Sequence, residues 1–332
     1  MSLDLDGGLG PDGRALPLSG RLRVGAGAVR LSGTGDAVEI AGLGAEMRLS
    51  ADRRHLELRE MWLDGRAARL AGRADLRSDG AGGAITAQLD LREVAVDVPR
   101  AERTPVALRA DRLWADLRVG GPGGAVQIAA MTLERDGARV TGTGRVWPGG
   151  RIALDLVAGP LAVDGALALW PHEIAPRARA WVAQTVSGGT LRDLRLSLRH
   201  DLRDPREPGR LDDSALSLHL ENAAMRVDPR LPPIAGVTGQ VVLDRDRVAF
   251  LLDRAAIALP VDAPPDGPAA AQAQTVQLGP GRIWTDTGPD ATGPLRMVFD
   301  AAADLPAALA LLRAPLFQPG GAADAAAVAG TG

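Results

Sequence analysis

Alternation of apolar and polar side chains, restarted again and again along the chain, constrains this fold more than any other feature of the sequence. Successive residues of a strand point to opposite faces, so a period of two reads as a strand with one oily side and one wet side. Within residues 151–157, Ile152, Leu154 and Leu156 share a face, while Ala153 and Asp155 take the other. Within residues 192–200, Leu194, Leu196 and Leu198 oppose Arg195, Ser197 and Arg199. Within residues 214–221, Leu216, Leu218 and Leu220 oppose Ser217, His219 and Glu221. Residues 84–92 and 112–119 repeat the scheme with Ile85, Ala87, Leu89 and Leu91, and with Leu113, Ala115, Leu117 and Val119. The pattern predicts an antiparallel sheet with one face in water.

Gly, Asp and Pro punctuate these runs. Asp64-Gly65, Asp136-Gly137 and Pro148-Gly149-Gly150 read as tight turns between hairpin strands. About twenty strands are expected, at the usual length of about 5–6 residues. Residues 57–76 and 129–146 share a Met, an Asp-Gly pair and a second Gly seven residues after the first, which favours a repeat architecture. The fold class is therefore mostly β: a long, twisted antiparallel repeat sheet forming an open groove, with two short helices.

The first helix is expected over residues 176–186. Ala178, Trp181, Val182 and Thr185 fall at helical spacing, Pro176 suits the first turn, and Gly188-Gly189 ends it. Trp181 is expected to pack this helix on the sheet, with the glycines allowing a sharp exit. The second is expected over residues 304–313, with Asp304 as N-cap, Pro306 in the first turn, and Leu305, Leu309 and Leu312 along one face. Residues 262–275 read as a Pro/Ala-rich loop and residues 318–332 as a low-complexity tail. The chain divides on this reading into a β segment (1–165), a strand-helix-strand segment (166–200) and a second β segment (201–317).

Composition narrows the function. With 46% hydrophobic and 24% charged residues, the 332-residue chain can bury a large apolar surface. A formal net charge of -3 supplies no basic footprint for nucleic acid. The basic residues are all arginine and are scattered singly. The absence of cysteine removes thiol catalysis, disulfides and cysteine-ligated zinc. Aromatic residues make up 3%, so the apolar faces are built from Ala, Leu and Val rather than from large rings. Neither a secretory leader nor an apolar stretch near the roughly 20 residues of a membrane-spanning helix is found.

Nothing in the sequence selects a reaction centre. His55, His172, His200 and His219 are far apart and lack metal-ligand spacing. Gly25 to Gly27 and Gly33 to Gly35 resemble pieces of a dinucleotide loop but lack the third glycine and the helix that should follow. No catalytic residue, metal ligand or cofactor is predicted, and the chain reads as non-enzymatic.

The stretch from Leu167 to Leu198 carries a more specific signal. Trp170, Pro171, Pro176, Arg179, Trp181, Gly188 and Gly189 form a WP…P…R-x-W…GG pattern. It resembles the core segment of the AsmA-like envelope proteins, in particular the YhdP branch. The segment 293–317, a strand followed by DLPAALALLRAPL, also looks like a recurring element of that group. The resemblance implies a long periplasmic β-groove that moves phospholipids between the inner and outer membranes of a Gram-negative envelope, anchored in the inner membrane in full-length members. This chain, which shows no anchor, looks like a central fragment of such a protein. The expected partners are phospholipid acyl chains, with envelope membrane proteins as further candidates and no nucleic acid. The groove candidates are Ile152, Leu154, Leu156, Leu194, Leu196, Leu198, Leu216, Leu218 and Leu220. The alternative is an envelope scaffold whose β repeat packs against itself; a β-rich hydrolase has no site to support it.

Overall fold

The computed structural model describes residues 1–30, 37–80, 83–100, 103–120, 124–148, 150–172, 176–201, 214–227, 232–244, 247–259, 274–286 and 296–313. Among them, nineteen strands form one antiparallel sheet that is not closed, accompanied by three short helices. The chain divides into two compact units.

The first unit comprises Met1–Gly159, Gly165–Pro176 and Arg195–Ser214. It holds β1 (Ser2–Asp6), β2 (Leu18–Val24), β3 (Gly27–Arg30), β4 (Ala37–Leu49), β5 (His55–Gly65), β6 (Ala68–Ser78), β7 (Ile85–Arg100), β8 (Arg103–Val119), β9 (Val126–Arg135), β10 (Ala138–Val146) and β11 (Arg151–Ala158). It also takes in most of α1 (Val163–Leu169) and the half of β14 (Thr190–Asp201) that starts at Arg195. β2 and β3 lie end to end along β4, and from β4 onward each strand pairs with the next as far as β11. The second unit holds β12 (Leu161–Ala162), α2 (Pro176–Thr185), β13 (Val186–Ser187), the start of β14, β15 (Ala215–Met225), β16 (Ile234–Asp244), β17 (Arg247–Leu259), β18 (Gln274–Asp286), β19 (Arg296–Ala302) and α3 (Leu305–Leu312). β12 pairs with the start of β14, β13 with the end of β15, and β15 to β19 run as a meander.

Many strands are longer than expected: β7 has 16 residues, β8 17 and β17 13. On the sequence pattern the alternating runs end at Arg92 and Glu221 and begin at Arg192, but at those points the strand continues and only its phase changes. Leu91-Arg92-Glu93-Val94 sets two charged residues between two apolar ones. Glu93 takes the left-handed conformation, and Leu91 and Val94 are both buried. The extra residue is a β-bulge, which restores the apolar series to the same side of the sheet. The tetrad recurs as Leu58-Arg59-Glu60-Met61 in β5, Leu191-Arg192-Asp193-Leu194 in β14, Leu220-Glu221-Asn222-Ala223 in β15 and Leu252-Asp253-Arg254-Ala255 in β17. Asp193 and Asn222 are left-handed like Glu93, and the register shifts at the tetrads of β5 and β15. This unit recurs more often than the Met and Asp-Gly spacing read from the sequence. That spacing itself falls on two hairpins, β5–β6 and β9–β10. Asp136-Gly137 is a two-residue turn with both residues at positive φ, as a hairpin of right-twisted strands requires. Asp64-Gly65 instead closes β5, and the tip of that turn is Arg66-Ala67.

The strand expected at the start of the strand-helix-strand segment overlaps α1. This stretch is a helix, because Gly165-Ala-Leu-Ala-Leu is as compatible with a helix as with alternation, and Ala and Leu are strong helix formers. Pro171 stops it by disfavouring helical geometry at the residue before. The Ala/Pro-rich loop assigned to 262–275 lies outside the described residues up to 273, while Gln274 and Thr275 belong to β18. The tail 318–332 also lies outside them.

The apolar side of the first unit gathers around Leu91, Val94, Ala110 and Leu133, with Met61, Leu70, Leu89, Val96, Leu108, Leu113 and Leu169 of α1 packed against them. On the opposite side the charges pair across strands. Asp90 has its side chain only 9% exposed and accepts hydrogen bonds from Arg112 at 2.9 and 3.1 Å and from Arg73 at 2.8 Å. The Arg112 hydrogen bond, with help from Arg73, holds the Asp90 carboxyl below the usual carboxylate range, against the burial that would raise it. A lowered folded-state value contributes stability that is complete above the unfolded value of about 3.9 and is lost as pH falls through the folded one. Asp90→Asn is therefore expected to cost about 1–2 kcal/mol at neutral pH. The gap to the parent protein should stay constant down to about pH 5 and shrink below about pH 4. Urea unfolding at a series of pH values reads both features.

Candidate functional site

The candidate site is the apolar side of the sheet, and it differs between the two units. In the first unit Ile152, Leu154 and Leu156 of β11 and Leu196 of β14 are half-buried, while Leu198 is buried. β10 pairs with β11 and presents Gly142 and Gly144 opposite Leu156 and Leu154. Those positions carry no side chain, and the two leucines lean over them: a Cβ at Gly142 would lie 2.6 Å from the end of Leu156, and one at Gly144 2.5 Å from Leu154. The surface is thus aliphatic and thin, with glycine where a larger residue would fill it. No ring stands among these rows, and Trp62 and Trp114 both project from the opposite side, 43% and 36% exposed.

In the second unit the same side is more fully covered. Leu218 and Leu220 of β15 are buried, as are Val237, Phe250, Leu252, Ile257, Val276 and Leu278 on the following strands. Only Leu194 and Leu216 among its candidates remain half-buried. α3 packs on β17 and β18 through Ala307, which is fully buried. Asp304 caps that helix as expected, its carboxylate accepting from the Ala307 amide at 2.8 Å. The leucine face is where the expectation fails: Leu305, Leu309 and Leu312 are exposed. The small residue makes the close approach, and the leucines lie around it.

The family-pattern residues are placed as follows. Trp170 and Pro171 follow α1 and are half-buried, Pro176 opens α2, and Arg179 is half-buried within it. Trp181 does not pack α2 on the sheet; it is 49% exposed. Among the described side chains of α2 the buried one is Thr185, whose carbonyl accepts from the Arg226 amide at 2.8 Å. Gly188 and Gly189 separate β13 from β14, both at positive φ. They serve the sharp exit expected of them.

The titratable groups are organised as ion pairs. His55, Glu57 and Asp75 bring ligand-type atoms within 4.8 Å of one another. Glu57, however, is already held by Arg59 at 2.8 Å, and Asp75 by His55 at 2.6 Å and Arg77 at 3.2 Å. Burial would raise the Asp75 carboxyl, but His55 and Arg77 together bring it below its ordinary value. This arrangement is a cross-strand charge network. His219 lies 4.0 Å from Asp193, His172 is exposed, and the side chain of His200 lies outside the described residues. The signal that sequence reading passed over is the doublet of polar residues at each phase change, which marks the bulges and so fixes which leucines share a side.

No helix among the described residues is long and apolar enough to cross a membrane. No family model, no curated protein and no solved structure matches the chain.

Proposed function

We propose that the chain is a non-enzymatic lipid-binding segment that holds phospholipid acyl chains on the apolar side of its first unit, as part of transfer between the membranes of a Gram-negative envelope. The observation that carries this reading is an unclosed sheet whose apolar rows are half-buried, free of rings and floored by Gly142 and Gly144. An acyl chain gains about 0.8 kcal/mol for each CH₂ removed from water. To accept it, a surface must be apolar and make no hydrogen-bonding demand. Paired strands meet that condition, because their backbone groups are satisfied by their neighbours. The periplasmic setting and the inner-membrane anchor of full-length proteins come from the resemblance alone.

A self-packed scaffold is the second reading, and the second unit supplies its support: Val237 and Val276 are each 1% exposed. We therefore assign the lipid surface to Ile152, Leu154, Leu156 and Leu196, and treat Leu218 and Leu220 as ordinary packing. Protein purified from a bacterial envelope should carry phospholipid detectable by mass spectrometry. After delipidation it should shield a fluorescent fatty acid from an aqueous quencher. Protein that does neither is a scaffold.

A further inference from the structure

The first unit contains a second feature, around Trp114. A depression of about 650 Å³ opens across β8, β9, β10, β11 and the Arg195 half of β14. Its lining is mostly apolar, with Leu156, Val157 and Leu196 beside Trp114, and the polar groups Thr132, Thr141, Thr143, Asp155 and Arg195 set among them. Register explains the grouping: Trp114 pairs with Thr132, Thr132 with Thr141, and Thr143 with Asp155. These side chains therefore form two neighbouring rows on one face of the sheet.

The depression combines an exposed aromatic face with hydrogen-bonding groups at fixed positions. Asp155 accepts from the Ser197 hydroxyl at 2.6 Å and, through both carboxylate oxygens, from one Arg199 nitrogen (Nη2) at 2.9 and 3.1 Å. It is still 57% exposed, so it keeps acceptor capacity toward the opening. Its charge is balanced by Arg199, which leaves the Arg195 guanidinium as the additional donor. The three threonines add hydroxyls that donate or accept, with methyl groups between them. A ligand that fits must be flat and CH-rich on one face, to cover the indole, and ringed by hydroxyls on its edge. Fatty acyl chains lack the hydroxyls, and a bare phosphate lacks the apolar face.

We propose that this depression binds a pyranose ring of a saccharide, stacked on Trp114 with its hydroxyls bonded to Asp155, Arg195 and the threonines. The volume suits one to a few sugar rings, within the roughly 300–1,000 Å³ typical of small-ligand sites. Leu156 and Leu196, assigned above to the lipid surface, also line this depression, so the variants that test the sugar are placed at Trp114 and Arg195, which the lipid reading does not use.

Saturation-transfer NMR on the full chain with maltose, chitobiose and digalacturonate at millimolar concentration tests it. Transfer to ring CH protons of at least one of the three is expected. Trp114→Ala should weaken binding of that sugar about tenfold, the loss of one stacked ring. Arg195→Gln, at an exposed position, should weaken it severalfold without touching the fold. Trp62→Ala should leave it unchanged; its ring is also exposed on that side but lies over Gly42 and Gly44. No transfer from any of the three sugars, or equal transfer in the parent protein and in both site variants with circular dichroism unchanged, would overturn the proposal.

Discussion

Leu154→Asp is expected to abolish shielding of a fluorescent fatty acid while leaving the unfolding transition of the chain nearly in place. Leu154 is half-buried and rests over Gly144, on the side assigned to acyl chains. A carboxylate there stays in water while the surface is empty, so the fold should lose no more than about 1 kcal/mol. A hydrocarbon tail laid over it would strip that water, and an unpaired charge is too costly to desolvate for binding to survive. The comparison variant is Leu218→Asp in the second unit, where the side chain is buried among packed neighbours. Loss of several kcal/mol and collapse of cooperative unfolding are expected there. Urea titration and a fatty-acid quenching assay on both variants separate the two roles. If Leu154→Asp unfolds the protein as Leu218→Asp does, the first unit is a packed core and the lipid reading falls.

The second large effect is expected at Gly189. This residue sits at φ +80, and a Cβ there would lie 2.7 Å from the Ala223 side chain and 2.8 Å from its Cα. Backbone cannot yield as a flexible side chain does, and Ala223 is itself 1% exposed. Gly189→Val therefore combines left-handed strain of about 1–3 kcal/mol with overpacking of about 1–3 kcal/mol. A total loss of about 3 kcal/mol or more should follow. Gly188 provides the internal control. It is also left-handed, at φ +62, but a Cβ there meets nothing within 4 Å. Gly188→Ala should cost about 1 kcal/mol, from backbone conformation alone. Shifts in the urea midpoint measure both. Equal costs would mean that the contact with Ala223 is relaxed in solution.

Local rules served well where a single segment decides its own structure. The Asp304 cap, the Pro176 start of α2 and the Asp136-Gly137 turn were all legible, since each depends on residues a few positions apart. Strand lengths were not. A period-two scan sees Leu91 and Val94 as out of step and ends the strand, whereas the paired backbone absorbs one residue and continues. The α1 segment failed for another reason: Ala and Leu at close spacing satisfy both periods, and only the surroundings choose. Trp181 and the leucines of α3 show the limit for site residues. A large apolar side chain on a short helix looks like an anchor, but the close approach in α3 is made by Ala307. Likewise, the alternating leucines of β11 and β15 are indistinguishable in sequence. The degree of burial that separates them is set by what lies across the sheet, glycines beside β11 and valines and α3 in the second unit.

The bulged doublets also govern how such a chain tolerates insertions. A strand sliding by one residue would turn its leucines outward, and sliding by two would lift its charged doublet away from the bulge and press it into the greasy layer. Neither shift is cheap. Adding or removing one complete out-and-back pair of strands, by contrast, preserves every neighbour's phase. Relatives of this protein should therefore differ in length by whole hairpins, with few single-residue gaps inside strands.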